Sequence, residues 1–345
     1  MANWEELPQE ILELIACRLA VKDYLAFGGV CTSWRSAATK EKYKAMLEAP
    51  WRKTYARKQI AEFSIPSGGT IFQLRASRVA TMSPPGWLLV LKGDRHCIFN
   101  PLLGNRIELP SLQKLRCRPP LRAVDLDWLK RLQRGPNRIH TIALSSSPLL
   151  SRSYTAMISI HRDLMDHEPL GFAFLRSGED AWTLVSIESH LPRSSVVRLV
   201  HYNGLFVALD AHNRIMTLNE RKGRMQLQLA LGKNFRHCGY LVECLGSLLV
   251  AWQIEGEGDA PVIRVFKVDL KKGTLEEVKS LGNVSLFLNY NSSFSVEFNA
   301  KYPKSCLKPN HIYFIDYIDK KNKIYSMDDG KVEWHCAGEW FQPDF

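Results

Sequence analysis

The feature that most restricts the fold is a long series of short apolar runs beginning near residue 70. Runs rich in Val, Ile, Leu, Phe and Tyr alternate with turns rich in Gly, Asn, Asp and Pro, which is the pattern of many short antiparallel strands. Helical periodicity is almost absent here, apart from a short pattern at 124–132. We expect strands at 87–91, 96–99, 106–109, 155–161, 171–175, 182–187, 196–200, 205–209, 214–218, 225–229, 248–254, 262–268, 284–288, 294–298, 311–316, 323–327 and 331–335.

A degenerate repeat runs through this strand-rich region. A glycine opens an apolar run, a polar turn follows, and a second apolar run comes after it at Gly86, Gly171, Gly204 and Gly246. Gly204 and Gly246 are 42 residues apart, and Gly86 and Gly171 are 85 apart, close to twice that spacing. A period near 40 with four short strands is typical of propeller blades. We therefore expect an all-β, six- or seven-bladed propeller-like domain, with a sandwich or irregular β-domain as the alternative.

Closure of such a ring requires the two ends of the chain to meet, because an open sheet leaves an unpaired edge. We expect a strand at 71–74 to pair with the C-terminal strands. The breaker cluster at 65–69 is the expected start of the β-domain. Before it, 51–63 has the composition of a further helix or linker with aromatic anchors.

The N-terminal stretch 4–38 predicts a small three-helix module. Leu7 and Pro8 precede an apolar helix, and Pro suits a first helical turn because the amides there lack helical partners. Apolar residues then recur at helical spacing. They include Ile11, Leu12, Ile15, Leu19, Phe27, Val30, Cys31 and Trp34. A module this small cannot bury so much apolar surface alone, so we expect a partner chain to cover the surplus.

These residues resemble an F-box. The resemblance lies in LPQEIL at 7–12, in Ile15 and Leu19, and in VCTSWRSAA at 30–38. It implies binding to the Skp-type adaptor of a cullin-based ubiquitin ligase. Carried over position by position, the adaptor-binding residues would be Leu7, Pro8, Ile11, Leu12, Ile15, Leu19, Val30, Cys31 and Trp34.

The β-rich region carries a second resemblance. Asn100, Pro101, Gly104, Ile107 and the pair Leu109–Pro110 match a phrase found in domains that follow F-boxes, and 312–316, 324–330 and 340–343 look like the C-terminal signature of a plant F-box group with a kelch-like domain. The implied organisation is an α+β multidomain chain with an F-box at 1–48, a helical or linker segment at 49–69 and a propeller-like domain at 70–345.

Searches for catalytic and cofactor motifs find none. The sequence holds no GxSxG, HExxH or GxxxxGK[ST] pattern, and its histidines lack metal-ligand spacing, so we expect no catalytic, cofactor-binding or metal-binding residues. No apolar run approaches a membrane span. The eight cysteines form no CxxC pair and indicate reduced thiols in an intracellular protein, cytoplasmic or nuclear.

The net charge of +11 is concentrated at 34–60 and 114–138. We favour a solvated helix face and a basic surface loop over a nucleic-acid surface there. The function expected is a non-catalytic substrate receptor of a ubiquitin ligase, which contacts a cullin and a RING subunit through the adaptor and an unknown target through loops such as 110–122 and 191–195. The alternatives are a regulatory or decoy F-box protein without ligase activity, a propeller enzyme or sugar binder, and a basic nucleic-acid-binding propeller.

Overall fold

The structure of the chain is a computed structural model. It describes residues 4–16, 19, 21–38, 50–57, 59–64, 70–92, 95–101, 103–116, 138–161, 171–187, 196–219, 224–230, 239–255, 261–298, 307–316, 319, 321–335 and 338–342.

The N-terminal residues form the expected helical module. A 3-10 turn at Trp4–Glu6 precedes α1 (Gln9–Ala16), α2 (Val21–Gly28) and α3 (Thr32–Ala37). α1 and α2 both pack against α3. α2 ends at Gly28, whose carbonyl accepts a hydrogen bond from Arg35 Nε. The remainder of the expected third helix lies outside the described residues.

The rest of the described chain forms six sheets, one for each blade of a β-propeller. Blade 1 contains β1 (Trp51–Arg57), β2 (Ile60–Ser64), β3 (Thr70–Arg75) and the last strand, β27 (Glu339–Phe341). Blade 2 contains β4 (Arg78–Thr81), β5 (Leu88–Lys92), β6 (Arg95–Phe99) and β7 (Arg106–Glu108). Blade 3 contains β8 (Leu115–Arg116), β9 (Arg138–Leu144), β10 (Thr155–His161), β11 (Gly171–Arg176) and β12 (Trp182–Leu184).

Blades 4 to 6 complete the ring. Blade 4 contains β13 (Ser186–Ile187), β14 (Val196–Tyr202), β15 (Leu205–Asp210), β16 (Arg214–Asn219) and β17 (Arg224–Ala230). Blade 5 contains β18 (Tyr240–Cys244), β19 (Ser247–Glu255), β20 (Pro261–Asp269) and β21 (Thr274–Val278). Blade 6 contains β22 (Val284–Leu288), β23 (Phe294–Glu297), β24 (His311–Ile315), β25 (Asn322–Ser326) and β26 (Val332–Trp334).

The innermost strands of neighbouring blades contact one another around the axis. β9 lies beside β14, β14 beside β18, and β18 beside β23. Blade 2 joins blade 3 through a bridge between Ser83 and Ala143 and a 2.7 Å hydrogen bond from Leu144 N to Ser83 O. The predicted propeller is confirmed, with six blades among the described residues.

The predicted closure of the ring was wrong in detail. β27 pairs antiparallel with β1, with Trp51 opposite Phe341 and Lys53 opposite Glu339, whereas β3, which holds 71–74, pairs with β2. The segment 51–63 therefore forms strands of blade 1, not a helix or linker, and the propeller begins at Trp51 instead of residue 70. Lys53 hid the strand pattern because it occupies an inward position that an apolar residue usually takes.

The hydrophobic core is divided among the interfaces between blades. Each pair of neighbouring blades encloses its own cluster of buried residues, and Trp340 of β27 joins the cluster of blade 6. Five tryptophans have almost no exposed surface and lie in these layers. They are Trp51, Trp87, Trp182, Trp252 and Trp340. Because each layer needs both its blades, a missing blade would expose two apolar faces at once.

The helical module packs onto the interface between blades 1 and 2. Tyr24 and Phe27 of α2 are buried in the same cluster as Trp51, Phe63 and Val90, and α2 contacts β3. The sequence predicts that a partner chain covers the apolar surplus of the module, whereas the propeller itself covers this part of it. No described helix is both long and apolar enough to cross a membrane.

Candidate functional site

Two surfaces of the described chain combine exposure with unusual composition. The first, called here the helical face, is the solvent-facing side of the module at residues 7–34. The second, called here the axial mouth, is the cavity where the innermost strands converge at one end of the propeller. They lie on different parts of the chain and suit different partners.

The helical face leaves large apolar side chains in water. Ile11 is 43% exposed, Leu14 58% and Val30 58%, and Pro8 is exposed beside them in the sequence. Scattered apolar residues on a surface are ordinary, but a contiguous apolar patch marks an interaction site. Pro8, Ile11 and Val30 were predicted to bind an adaptor, and Leu14 was not.

Trp34 gives the helical face a fixed aromatic centre. Its ring lies 4.4 Å from that of Phe27, and its Nε1 donates a 3.0 Å hydrogen bond to the carbonyl oxygen of Trp4. The indole is thus held between the core and the surface. The other predicted residues at the edge of this face are only partly exposed; they are Leu7, Ile15, Leu19 and Cys31.

Leu12 requires a correction. The resemblance placed it in the adaptor-binding set, but its side chain is 0% exposed and lies with Ala16 and Phe27 in the core of the module. Leu12 points about 100° away from Ile11 on α1 and faces the core. Leu12 therefore stabilises the module from within.

The axial mouth is a cavity of about 490 Å³ to which all six blades contribute. A volume of this size is within the range of ligand and side-chain pockets. Its lining residues are Ser83, Pro84, Pro85, Leu144, Ser145, Ser146, Ser147, Leu150, Val200, His201, Glu243, Ser293, Phe294, Ser295 and Gln342. Most come from the ends of innermost strands or the loops that follow them, where a rigid scaffold presents variable side chains.

Hydrogen bonds hold the floor of the axial mouth. Ser147 Oγ accepts from Trp87 Nε1 at 3.1 Å, and Ser293 Oγ accepts from the amide of Asn289 at 3.2 Å. Ser295 Oγ donates to the backbone oxygen of Glu243 at 2.9 Å. The first bond links blades 2 and 3, the second lies within blade 6 and the third links blades 5 and 6, so these serines are held in place by the blades.

Glu243 is the one Asp, Glu, Lys or Arg among the lining residues that the structure describes. Its side chain is exposed, while the neighbouring Cys244 is buried. Burial raises the pKa of the Cys244 thiol, a hydrogen bond with Ser295 opposes this, and the charges of Glu243 and Glu297 raise that pKa further. Glu243 therefore supplies the negative charge on the blade 5 side of the lining.

Two exposed leucines belong to the loops at this end of the propeller. Leu150 lines the cavity and is 80% exposed. Leu245, two residues beyond Glu243, is 67% exposed at the tip of the hairpin between β18 and β19. Tyr202 of blade 4 supports that tip, since its hydroxyl donates a 3.0 Å hydrogen bond to Gly246 O.

Sequence reasoning missed the axial mouth. Its members come from six separate stretches, which meet only once the ring is closed. The serine-rich sequences at 145–147 and 292–295 were the available signal, but their meaning depends on knowing which strand is innermost. Of the loops named as candidate target contacts, 191–195 lies outside the described residues, and the described part of 110–122 follows the outer strand β7.

The described residues contain no group of three His, Cys, Asp or Glu side chains placed to hold a metal ion. The acidic pair predicted to form a hairpin turn, Asp328–Asp329, does lie in the turn between β25 and β26. Asp329 accepts a hydrogen bond from the Lys331 amide at 3.2 Å, which fits a structural role.

Comparison with known proteins agrees with both parts of the structure. The F-box domain model matches residues 4–45 and the KIB1-4 beta-propeller model matches residues 50–332. The chain is 24% identical to the F-box/kelch-repeat protein At1g57790 of Arabidopsis thaliana, covering 95% of this chain and 88% of that protein. It is 23% identical to the probable F-box protein At1g65740 of the same plant, covering 96% and 94%.

Among solved structures, the β-propeller domain of Myceliophteria thermophila Cps50 (Swd1) is similar with a TM-score of 0.41 and 12% identity, over 83% of this chain and 85% of that one. This likeness is too distant to support a functional comparison. F-box domains in general bind Skp1-type adaptors. The chain belongs to the KIB1-4 β-propeller family and is a plant F-box protein, with its F-box ahead of a six-bladed propeller.

Proposed function

We propose that this protein is the substrate-recognition subunit of an SCF-type ubiquitin ligase, acting inside the cell. The helical face docks on a Skp-type adaptor, which connects the chain to a cullin and a RING subunit. The propeller presents a target protein. The residues proposed to face the adaptor are Leu7, Pro8, Ile11, Ile15, Leu19, Val30, Cys31 and Trp34.

The observation that carries this proposal is the uncovered apolar surface of the helical module. The propeller covers Tyr24 and Phe27 but leaves Ile11, Leu14 and Val30 in contact with water. An apolar surface of this kind is stabilised when a partner buries it. A helical partner that inserted side chains around Trp34 would complete the core of the module.

The protein itself performs no bond-making step in this proposal. In a ligase of this type, other subunits carry the ubiquitin and the chemistry. The receptor raises the effective concentration of a target lysine near the charged carrier, which accelerates transfer by proximity and orientation. A fixed connection between the two surfaces is useful for this purpose. The packing of α2 on β3 forms such a connection between the module and the propeller.

The first test measures adaptor binding by the full-length chain. We expect Ile11→Arg and Val30→Asp each to lower recovery of a Skp-type adaptor at least tenfold, because a buried unpaired charge at an interface costs about 2 kcal/mol or more. Both side chains are exposed, so the folded chain should persist. Leu227→Asp, at an exposed position on β17, is the matched control and should bind as the wild type does.

Equal adaptor recovery by all these variants would contradict docking through the helical face. Recovery of the adaptor without a cullin would instead favour a regulatory role without ligase activity. The double variant Leu7→Ala/Pro8→Ala tests the entrance to α1, where the Pro8 carbonyl accepts hydrogen bonds from the amides of Ile11 and Leu12.

A further inference from the structure

We propose that the axial mouth binds a segment of the target protein that presents a lysine or arginine side chain next to an apolar one. The inference rests on the receptor role proposed above, and it names the chemical class of the substrate. Glu243 receives the cation, and Leu150 and Leu245 contact the apolar neighbour.

Charge supplies the first argument. The protein as a whole is strongly basic, at +11, yet Glu243 is the single fully charged side chain among the described residues that line this cavity. The other polar members, mainly serines, His201 and Gln342, can accept hydrogen bonds from an ammonium or guanidinium group. A cationic side chain therefore fits the mouth better than an anionic one.

The backbone at Leu245 supplies an independent argument. Leu245 has φ 47° and Gly246 has φ 71°, which is the conformation of a two-residue hairpin turn that normally takes Asn-Gly. The equivalent hairpin of blade 4 does have Asn203 and Gly204, at φ 48° and 76°. A leucine is unfavourable in this left-handed region, and its exposed side chain contributes nothing to the described core. A residue that adopts an unfavourable backbone conformation and adds nothing to the packing of the fold is a candidate functional residue.

The arrangement of the leucines completes the argument. Leu150, in the loop after β9 of blade 3, lines the cavity together with Glu243 of blade 5 and the serines, and Leu245 lies at the hairpin tip two residues beyond Glu243. Exposed leucines near a polar lining suit a side chain that is apolar along its stem and charged at its tip, as Lys and Arg are.

The test is selection from a random nonapeptide library displayed on phage, with the full-length protein as bait. For the wild type we expect enrichment of peptides with Lys or Arg adjacent to Leu, Ile, Val or Phe. For Glu243→Lys we expect basic residues to be lost from the selected set and Asp or Glu to replace them. Selection of no peptides, or of the same peptides by both proteins, would overturn the proposal.

Affinities of the selected peptides provide a quantitative check. Because Glu243 is exposed, Glu243→Gln should weaken binding by about three- to fivefold, and this loss should diminish at high salt as the wild-type attraction is screened. Glu276→Gln, at an exposed position on the outer strand of the same blade, should leave affinity unchanged. An equal loss in both variants would contradict a specific role for Glu243.

The result of the peptide selection can be separated from the result of the adaptor-binding experiment. Peptide selection needs no adaptor, and the adaptor assay needs no target. Glu243-dependent selection together with failure to bind an adaptor would refute the ligase role alone, whereas adaptor binding without basic peptides would refute the substrate class alone.

Discussion

The unfavourable backbone conformation of Leu245 leads to a prediction about stability as well as about peptide binding. Asn tolerates the left-handed conformation better than Leu does, and the exposed leucine side chain is not part of the core. We expect Leu245→Asn to raise the free energy of unfolding by about 1 kcal/mol, measured by urea denaturation, while it weakens binding of the selected peptides. Asn203→Leu at the equivalent hairpin should lower stability by a similar amount. A Leu245→Asn variant no more stable than wild type would count against backbone strain at this turn.

Cysteine labelling tests the helical face without any substitution. Burial raises the pKa of the Cys97 and Cys244 thiols. At pH 8 a smaller fraction of each of these thiols is therefore ionised to the reactive thiolate than for an ordinary cysteine. Cys31 is partly exposed. We expect iodoacetamide to label Cys31 at pH 8 and to leave Cys97 and Cys244 largely unmodified, as followed by peptide mass spectrometry.

The same labelling reports on the adaptor. Bound adaptor should slow modification of Cys31 specifically, because Cys31 belongs to the proposed interface. Unchanged labelling of Cys31 in a stable complex would show that the adaptor sits elsewhere on the chain.

At the scale of single elements, β27 is held in blade 1 by a few specific contacts. Asn289, which is 0% exposed, donates to Trp340 O at 2.8 Å and accepts from Trp340 N at 3.0 Å, and it also donates to Ser292 O. Asn289→Ala should lower the free energy of unfolding by about 2–4 kcal/mol, because it leaves buried backbone groups without their partner. Asn283→Ala, at an exposed turn position, should have little effect on stability. Equal losses of stability in both variants would show that Asn289 has no specific role in holding β27.

A buried ion pair holds the same strand. Lys53 is 3% exposed, pairs with Glu339 and donates to Val79 O at 2.8 Å, which joins β1, β27 and blade 2. Lys53→Met should destabilise the fold by about 2 kcal/mol, less than for a fully buried pair, because Glu339 keeps some exposure and stays solvated in part. The double variant Lys53→Met/Glu339→Leu should recover most of that loss in chemical denaturation. If the double variant is as unstable as Lys53→Met, the loss of stability does not come from leaving the charge of Glu339 without its partner.

At the scale of the whole molecule, the ring depends on its final strand. A chain ending at His335 lacks β27 and so exposes the edge of β1, which favours association of chains through that edge. We expect this truncation to elute as aggregates in size-exclusion chromatography, and a synthetic peptide of residues 336–345 to restore monomers. A chain ending at Gln342 keeps β27 and serves as the control. A monomeric, stable truncation would contradict closure by β27.

Local patterns were sufficient to identify most of the propeller. Most runs in blades 2 to 6 alternate or stay apolar over a few residues, and their turns carry Gly or Asn, so these strands are visible by themselves. Sequence reasoning did not identify β4, β8, β9, β18 and β21 of the same blades. Two of the other missed strands, β1 and β27, depend on distant partners. β1 contains an inward lysine whose partner Glu339 lies at the other end of the chain, and β27 is only three residues long.

The two candidate surfaces differ in the same way. The helical face follows from spacing along α1 to α3, and only the burial of Leu12 needed three dimensions. The axial mouth could not be derived from spacing, because Glu243, Leu150 and Ser293 are neighbours only through ring closure.

The pairing of β27 with β1 also has a consequence during synthesis. The helical module and β1 to β3 leave the ribosome long before β27, which is the innermost strand of their blade. A chain that terminates before β27 carries the helical module on an open ring, and the unpaired edge of β1 is then available to other chains. The pairing of β27 with β1 therefore couples closure of the ring to synthesis of strands that are more than 280 residues apart in the sequence.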